Sequence, residues 1–98
     1  MKLSTQPSNR AIFVCLHIFD NVRDAGFVYV DADGDIQITC SGNDHDFSNS
    51  REVHIVGLGH LINRDDTLGS IPDLQNGDWA ERGTPAEAWK VFRKSKKE

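Results

Sequence analysis

Proline, cysteine and methionine are scarce in this chain, with three, two and one residues among 98. Two cysteines do not make a disulfide-stapled miniature domain, so stability has to come from a packed core. No apolar run approaches the roughly 20 residues of a membrane-spanning helix. The one candidate for a secretory apolar region is interrupted by His17 and Asp20, with no small-residue cleavage site beside it. Positive charge is also in deficit: 15 acidic against 11 basic residues leave a formal charge of −4, which argues against general nucleic-acid binding. There are no internal repeats. These absences point to a cytoplasmic protein with both thiols free and no cofactor, and the reading leans away from an enzyme.

What remains is enough for one domain. A chain of this length buries about two-thirds of its unfolded surface, and 38% apolar residues support a globular fold rather than a disordered one. Charge is unevenly distributed. Residues 90–98 hold five basic side chains and one acid, so the other 89 residues carry −8. Seven aspartates between Asp20 and Asp46 face a single base, Arg23.

Hydrophobic periodicity predicts an α+β domain over 11–98 with a small, mainly antiparallel sheet. Residues 1–10 are polar and read as a flexible arm. The run 11–19 is apolar on both alternating faces and reads as a strand covered on both sides. Further strands are expected near 27–31 and 36–40, with 52–56 and 78–82 as two more candidates, the former competing with a helix that starts there. Asp33-Gly34 suggests a two-residue hairpin turn. Short helices fit near 57–64 and 66–71, the second capped by Asp65 or Asp66. Gly57 and Gly59 suit close backbone packing. Thr84, Pro85 and Glu87 compose a capping box, which predicts a C-terminal helix near 85–96 with Lys90, Arg93, Lys94 and Lys97 on one stripe. A meander register puts Cys15 and Cys40 on non-adjacent strands, too far apart for a disulfide.

No catalytic set emerges. Asp31-Ala-Asp33-Gly-Asp35 resembles part of a calcium loop, but the glycine falls two positions early and Gly42 stands where the closing glutamate belongs; a solvated turn is the simpler reading. Cys15, His17, Cys40 and His45 are the only zinc-type donors worth weighing as a set, and their spacing lacks two tight ligand pairs. Trp79 and Trp89 suit either packing or a partner contact. The acidic loops leave Asp31, Asp33, Asp35, Asp44, His45 and Asp46, with Trp79, as the candidate binding residues for a basic protein partner. Homo-oligomerisation through a strand edge is a further alternative.

Three stretches resemble known sequences. They are Asp33–Gly42 (DGDIQITCSG) with Asp44 and Asp46 after it, Val56–Leu68 (VGLGHLINRDDTL), and Pro72-Asp73-Leu74 followed by Gly77–Arg82 (GDWAER). Together they resemble small, mostly uncharacterised bacterial proteins with a DGDWQF-C/S-G strand, an LGHLLERDPSL helix and a DLPPGWEAxR tail. Those proteins are similar to a domain of unknown function grouped with immunity proteins of bacterial polymorphic toxin systems. The resemblance spans about residues 13–89. Ile36 stands where the pattern has Trp, Asp66 where it has Pro, and Asn76 where it has the second Pro. It implies a protein that neutralises a toxin by occlusion, with the toxin as partner; a metal-binding protein or small enzyme using the Cys/His set is the alternative.

Overall fold

Alternating burial along the central strands builds the structure, a computed structural model that describes residues 2–20, 23–40, 53–84 and 86–93. The strands are β1 (Ala11–Cys15), β2 (Ala25–Val30), β3 (Ile36–Cys40), β4 (Val53–Gly57), β5 (Trp79–Glu81) and β6 (Lys90–Phe92). The described residues also form two helices, α1 (Leu16–Phe19) and α2 (Leu58–Arg64), and 3-10 turns at Leu3–Thr5 and Asp66–Ser70. The strands form one mixed sheet in the order β4-β1-β3-β2-β5-β6. Among the described residues β1 and β3 run parallel and the other neighbours are antiparallel. The fold is therefore α+β, as composition and periodicity predict. Among the described residues no helix is long and apolar enough to cross a membrane.

One face of the sheet is covered. Ile12, Val14, Val28, Val30, Ile36, Ile38 and Ala80 are at most 1% exposed and pack with Leu58 and Leu61 of α2 and with Leu68, Ile71 and Leu74 beyond it. Aliphatic residues two apart on a strand share a face, and here they supply a continuous core. The first residues belong to it as well. Leu3 is 1% exposed, and the carbonyls of Arg10 and Ser8 accept the N–H groups of Leu58 and Gly59 at 2.9 and 2.8 Å. These close the N-terminus of α2, whose first N–H groups have no partner inside the helix. A Cβ at Gly59 would lie 2.7 Å from that of Ser8, so the glycine is what admits the segment. Residues 2–10 are thus docked, not a loose arm.

Three further expectations are corrected. The apolar run 11–19 is a strand only to Cys15 and then turns into α1, because Ile18 reaches the core from a helical turn. Short apolar runs do not distinguish the two by pattern. Arg64 donates to the Ile18 carbonyl at 3.1 Å, closing the C-terminal end of α1.

The hairpin turn is three residues long, not two. Asp31 and Asp35 close it, Gly34 N–H reaches Asp31 O at 3.0 Å, and Gly34 has φ +87°, the left-handed residue of a three-residue loop. The extra residue pairs Val30 with Ile36 and Val28 with Ile38. Relative to a two-residue turn, every side chain of β3 changes face.

The helix near 85–96 is absent from 86–93, where Lys90–Phe92 is a strand on β5. The Glu87 carboxylate does cap, accepting the N–H groups of Gly83 and Thr84 at 2.7 and 3.1 Å. The chain then extends, because Trp89 lies over the Arg82 guanidinium at 4.3 Å and Val91 packs against the core.

Arg82 is the main internal polar junction. Its Nε donates to Ala25 O at 3.0 Å, its Nη1 to Thr67 Oγ1 at 2.9 Å, and its Nη2 to the Asp65 carboxylate. Trp89 Nε1 also donates to Thr67 Oγ1, at 3.3 Å. Burial alone would raise the Asp65 carboxyl, but hydrogen bonds from Thr67 and the Arg82 charge outweigh it and hold the group below the ordinary carboxylate range. Near the other end of β5, buried Asp78 accepts from Gln75 N–H and from Arg93, each at 2.9 Å.

Candidate functional site

The second face of the sheet carries a different kind of residue. Strand pairing aligns Ile55, Phe13, Gln37, Tyr29, Trp79 and Phe92 as successive neighbours across all six strands. The row is about 24 Å long at the usual strand spacing. Ile55 is 63% exposed and Phe92 40%, while the four between them are half-buried. Trp79 and Phe92 stack at 5.5 Å between ring centroids with 12° between planes, and Phe27 stacks on Tyr29 at 6.4 Å. Trp79 Nε1 donates to Glu81 at 2.8 Å, which fixes the indole on this face.

A groove of about 360 Å³ crosses the same face. Phe13, Gln37, Thr39 and Val53 line it, and Asp31 and Asp35 close one end. The carboxylates arrive there because Asp31 and Asp35 are the pair that closes the β2–β3 turn. Asp31 Oδ1 accepts the N–H groups of Asp33 and Asp35 at 2.9 and 3.0 Å. The turn is further held by Arg10 on Gly34 O at 2.8 Å and Asn76 on Ala32 O at 3.1 Å. Asp31, Asp33 and Asp35 converge to within 4.8 Å, but the inward-turned oxygen of Asp31 serves the loop itself. Of the remaining candidates, Trp79 lies on the open face with Asp31 and Asp35. Asp44, His45 and Asp46 lie outside the described residues. Trp89 faces the interior.

A second group forms where β1 and β3 end. The two strands are parallel neighbours, so Cys15 and Cys40 close the same end of the sheet, and His17 follows in the first turn of α1. Adjacency replaces the separation that a meander predicts. Both cysteines are buried. Cys40 N–H donates to Cys15 Sγ at 3.4 Å, and Cys40 Sγ lies 3.7 Å from His17 Nδ1. The three donor atoms fall within 4.8 Å of one another. Burial pushes the Cys15 thiol up; backbone N–H groups of Cys40 and Ile18 oppose this, and the Cys40 sulfur adds to it. Arg23 Nη1 reaches Cys40 Sγ at 3.6 Å. In the sequence Arg23 is marked only as the one base among seven aspartates.

Several residues of 56–68 and 77–82 hold the fold. Leu58, Leu61 and Leu68 are core residues, Asp65 caps the 3-10 turn through Thr67 N–H, and Asp78 and Arg82 are buried and paired. Compared with protein-family models, curated proteins and solved structures, the chain matches none.

Proposed function

We propose that this domain is a non-enzymatic binding protein that uses the open face of its sheet to occlude a basic surface of a protein partner. The observation that supports it is the registered row from Ile55 to Phe92, bordered by a groove that ends in two carboxylates. Large aromatic groups on a rigid sheet supply contact area at low entropic cost, and Trp and Tyr are enriched among energetically dominant interface residues. An arginine or lysine of the partner fits the groove in both of its parts. Its aliphatic stem would lie along Phe13 and its charge would meet Asp31 and Asp35.

The surrounding negative charge, to which Asp44 and Asp46 contribute by sequence, would steer such a partner and make its association salt-dependent. The resemblance to proteins grouped with toxin immunity agrees with a toxin as that partner. Occlusion needs no chemistry from this chain.

The test combines capture with relief of toxicity. Wild-type protein as bait in its native host should retain a basic protein at low salt. Asp31→Lys/Asp35→Lys and Tyr29→Ala baits should each lose it. Expression of the captured protein should arrest growth unless wild-type protein is co-expressed. Capture undiminished by both variants would overturn the assignment to this face. An association rate at low salt unaffected by charge reversal would remove the acidic end from it.

A further inference from the structure

We propose that Cys15, His17 and Cys40 form a binding site for a thiophilic divalent cation of the zinc type. Three protein elements meet to make it: the end of β1, the end of its parallel neighbour β3, and the first turn of α1. The donors are two sulfurs and one imidazole nitrogen, all within 4.8 Å of one another. That set suits zinc(II), and it is wrong for calcium or magnesium, which require oxygen ligands.

The spacing is close to what the ion needs. Tetrahedral zinc, with bonds of about 2.3 Å to sulfur and about 2.1 Å to nitrogen, holds a sulfur and a nitrogen about 3.6 Å apart. Cys40 Sγ and His17 Nδ1 are 3.7 Å apart, so the cluster could close on an ion through side-chain shifts alone.

The electrostatics agree with the position. Both cysteines are buried, and a bare thiolate there would be costly. Zinc(II) with two thiolates and a neutral imidazole carries no net charge. On binding, two S–H bonds break, two Zn–S bonds form, and two protons pass to the buffer. The surroundings already supply outer-sphere donors to both sulfurs. Cys40 N–H points at Cys15 Sγ, and Arg23 Nη1 points at Cys40 Sγ. Such donors orient thiolate ligands and tune their basicity. The three donors among the described residues leave one position of a tetrahedral ion to a further ligand.

The experiment uses the reduced, untagged full-length protein, stripped of metal and kept anaerobic. It is titrated with zinc(II) against a chromophoric chelator and, separately, with cobalt(II) as a spectroscopic probe. The expected result is one zinc per chain and a near-ultraviolet thiolate-to-cobalt charge-transfer band. Cys40→Ser should weaken zinc binding by about 100-fold or more and His17→Gln by at least about 10-fold. Arg23→Gln should weaken it by about 10-fold, as loss of an outer-sphere partner does. His60→Gln, on the exposed side of α2, should bind as wild type does.

Zinc should raise the melting temperature of the wild type and not that of His17→Gln, because ligand binding to the native state is linked to stability. His17 is half-buried, so this variant decides the question even if Cys40→Ser fails to fold. Several results would overturn the site: no stoichiometric zinc, a cobalt complex without the thiolate band, or zinc affinity unchanged in both His17→Gln and Cys40→Ser. A Cys15–Cys40 disulfide that forms readily in a protein that takes up no zinc after reduction would also overturn it, and would assign the pair to redox chemistry. All readouts are on the isolated protein, so they stand or fall apart from the docking face.

Discussion

His54, Val14, Ile38, Val28, Ala80 and Val91 cross the sheet as one registered row, and Ile55, Phe13, Gln37, Tyr29, Trp79 and Phe92 cross it as the next. The rows are one residue apart on the same strands and belong to opposite faces. In the first, Val14, Ile38, Val28 and Ala80 are at most 1% exposed beneath α2 and the 3-10 turn; in the second, the ends are 63% and 40% exposed. Composition follows the division. From Val14 to Val91 the covered row is aliphatic and small enough for helices to sit close, with His54 at its end, whereas the open row carries four aromatic side chains. A residue in the first row should therefore matter to folding and one in the second to binding, and substitutions can separate the two.

The largest effect is expected at the centre of the covered row. Ile38 is fully buried between Val14 and Val28, so Ile38→Ala should lower stability by about 4 kcal/mol through lost transfer energy and the cavity left behind. Urea unfolding would register this as a lower midpoint at unchanged slope. A loss below about 1 kcal/mol would break the assignment of that face to the core.

Next comes Arg82, which ties β2, the 3-10 turn and Trp89 together. Arg82→Met should cost about 3 kcal/mol, because it strands the Ala25 carbonyl and leaves Asp65 without its counter-charge. The pH dependence carries a second sign of the same pair. Asp65 is held below its unfolded value, so its contribution is fully present above about pH 4 and is lost as pH falls through the lowered folded value. The acid limb of the stability curve should therefore flatten in Arg82→Met. An acid limb as steep as that of the wild type would show that the ion pair carries none of it.

A smaller effect should follow at the turn that sets which residues face which way. Gly34→Ala places a side chain at φ +87°, where L-residues are strained, and should cost about 1 kcal/mol in thermal or urea unfolding. A stabilised variant would show that residue 34 does not hold the positive φ of this turn.

Local chemistry explains what could be read from the sequence. Alternation located β3, β4 and β5 to within one or two residues, and the 3.6-residue period and Asp65 located α2 and the 3-10 turn. Non-local contacts were not legible. No turn links β1 directly to β3, so nothing in the sequence announces their parallel pairing or the meeting of Cys15 with Cys40. A single extra turn residue at Ala32–Gly34 reversed the faces of β3, and with them the sorting of Ile36 and Ile38 from Gln37 and Thr39. At the C-terminal end two signals conflicted. Thr84 and Glu87 describe a helix start, while Trp89 and Val91 alternate as in a strand. Packing against Arg82 and the core decided for the strand. The aromatic row is not legible for the same reason, since Phe92 joins it only as part of β6.

The smallest change in stability should accompany the substitutions that matter most to docking. Ile55 is on the edge strand β4 and mostly exposed, so Ile55→Ser should shift folding stability by no more than about 0.5 kcal/mol. Phe92→Ser gives up its stacking on Trp79 and should cost about 0.5–1 kcal/mol. Both lie at the ends of the open row, where a partner spanning the sheet would bury them. Each variant should thus keep a near-wild-type urea midpoint while the partner's dissociation constant rises at least about ten-fold, the usual scale for losing an interface anchor. The control is Val91, one residue from Phe92 but on the covered side. Val91→Ala should reverse the pattern, lowering stability and leaving affinity nearly unchanged. If Phe92→Ser and Val91→Ala moved stability and affinity together, the two faces would not be functionally distinct and the open row would be only the outer layer of the core.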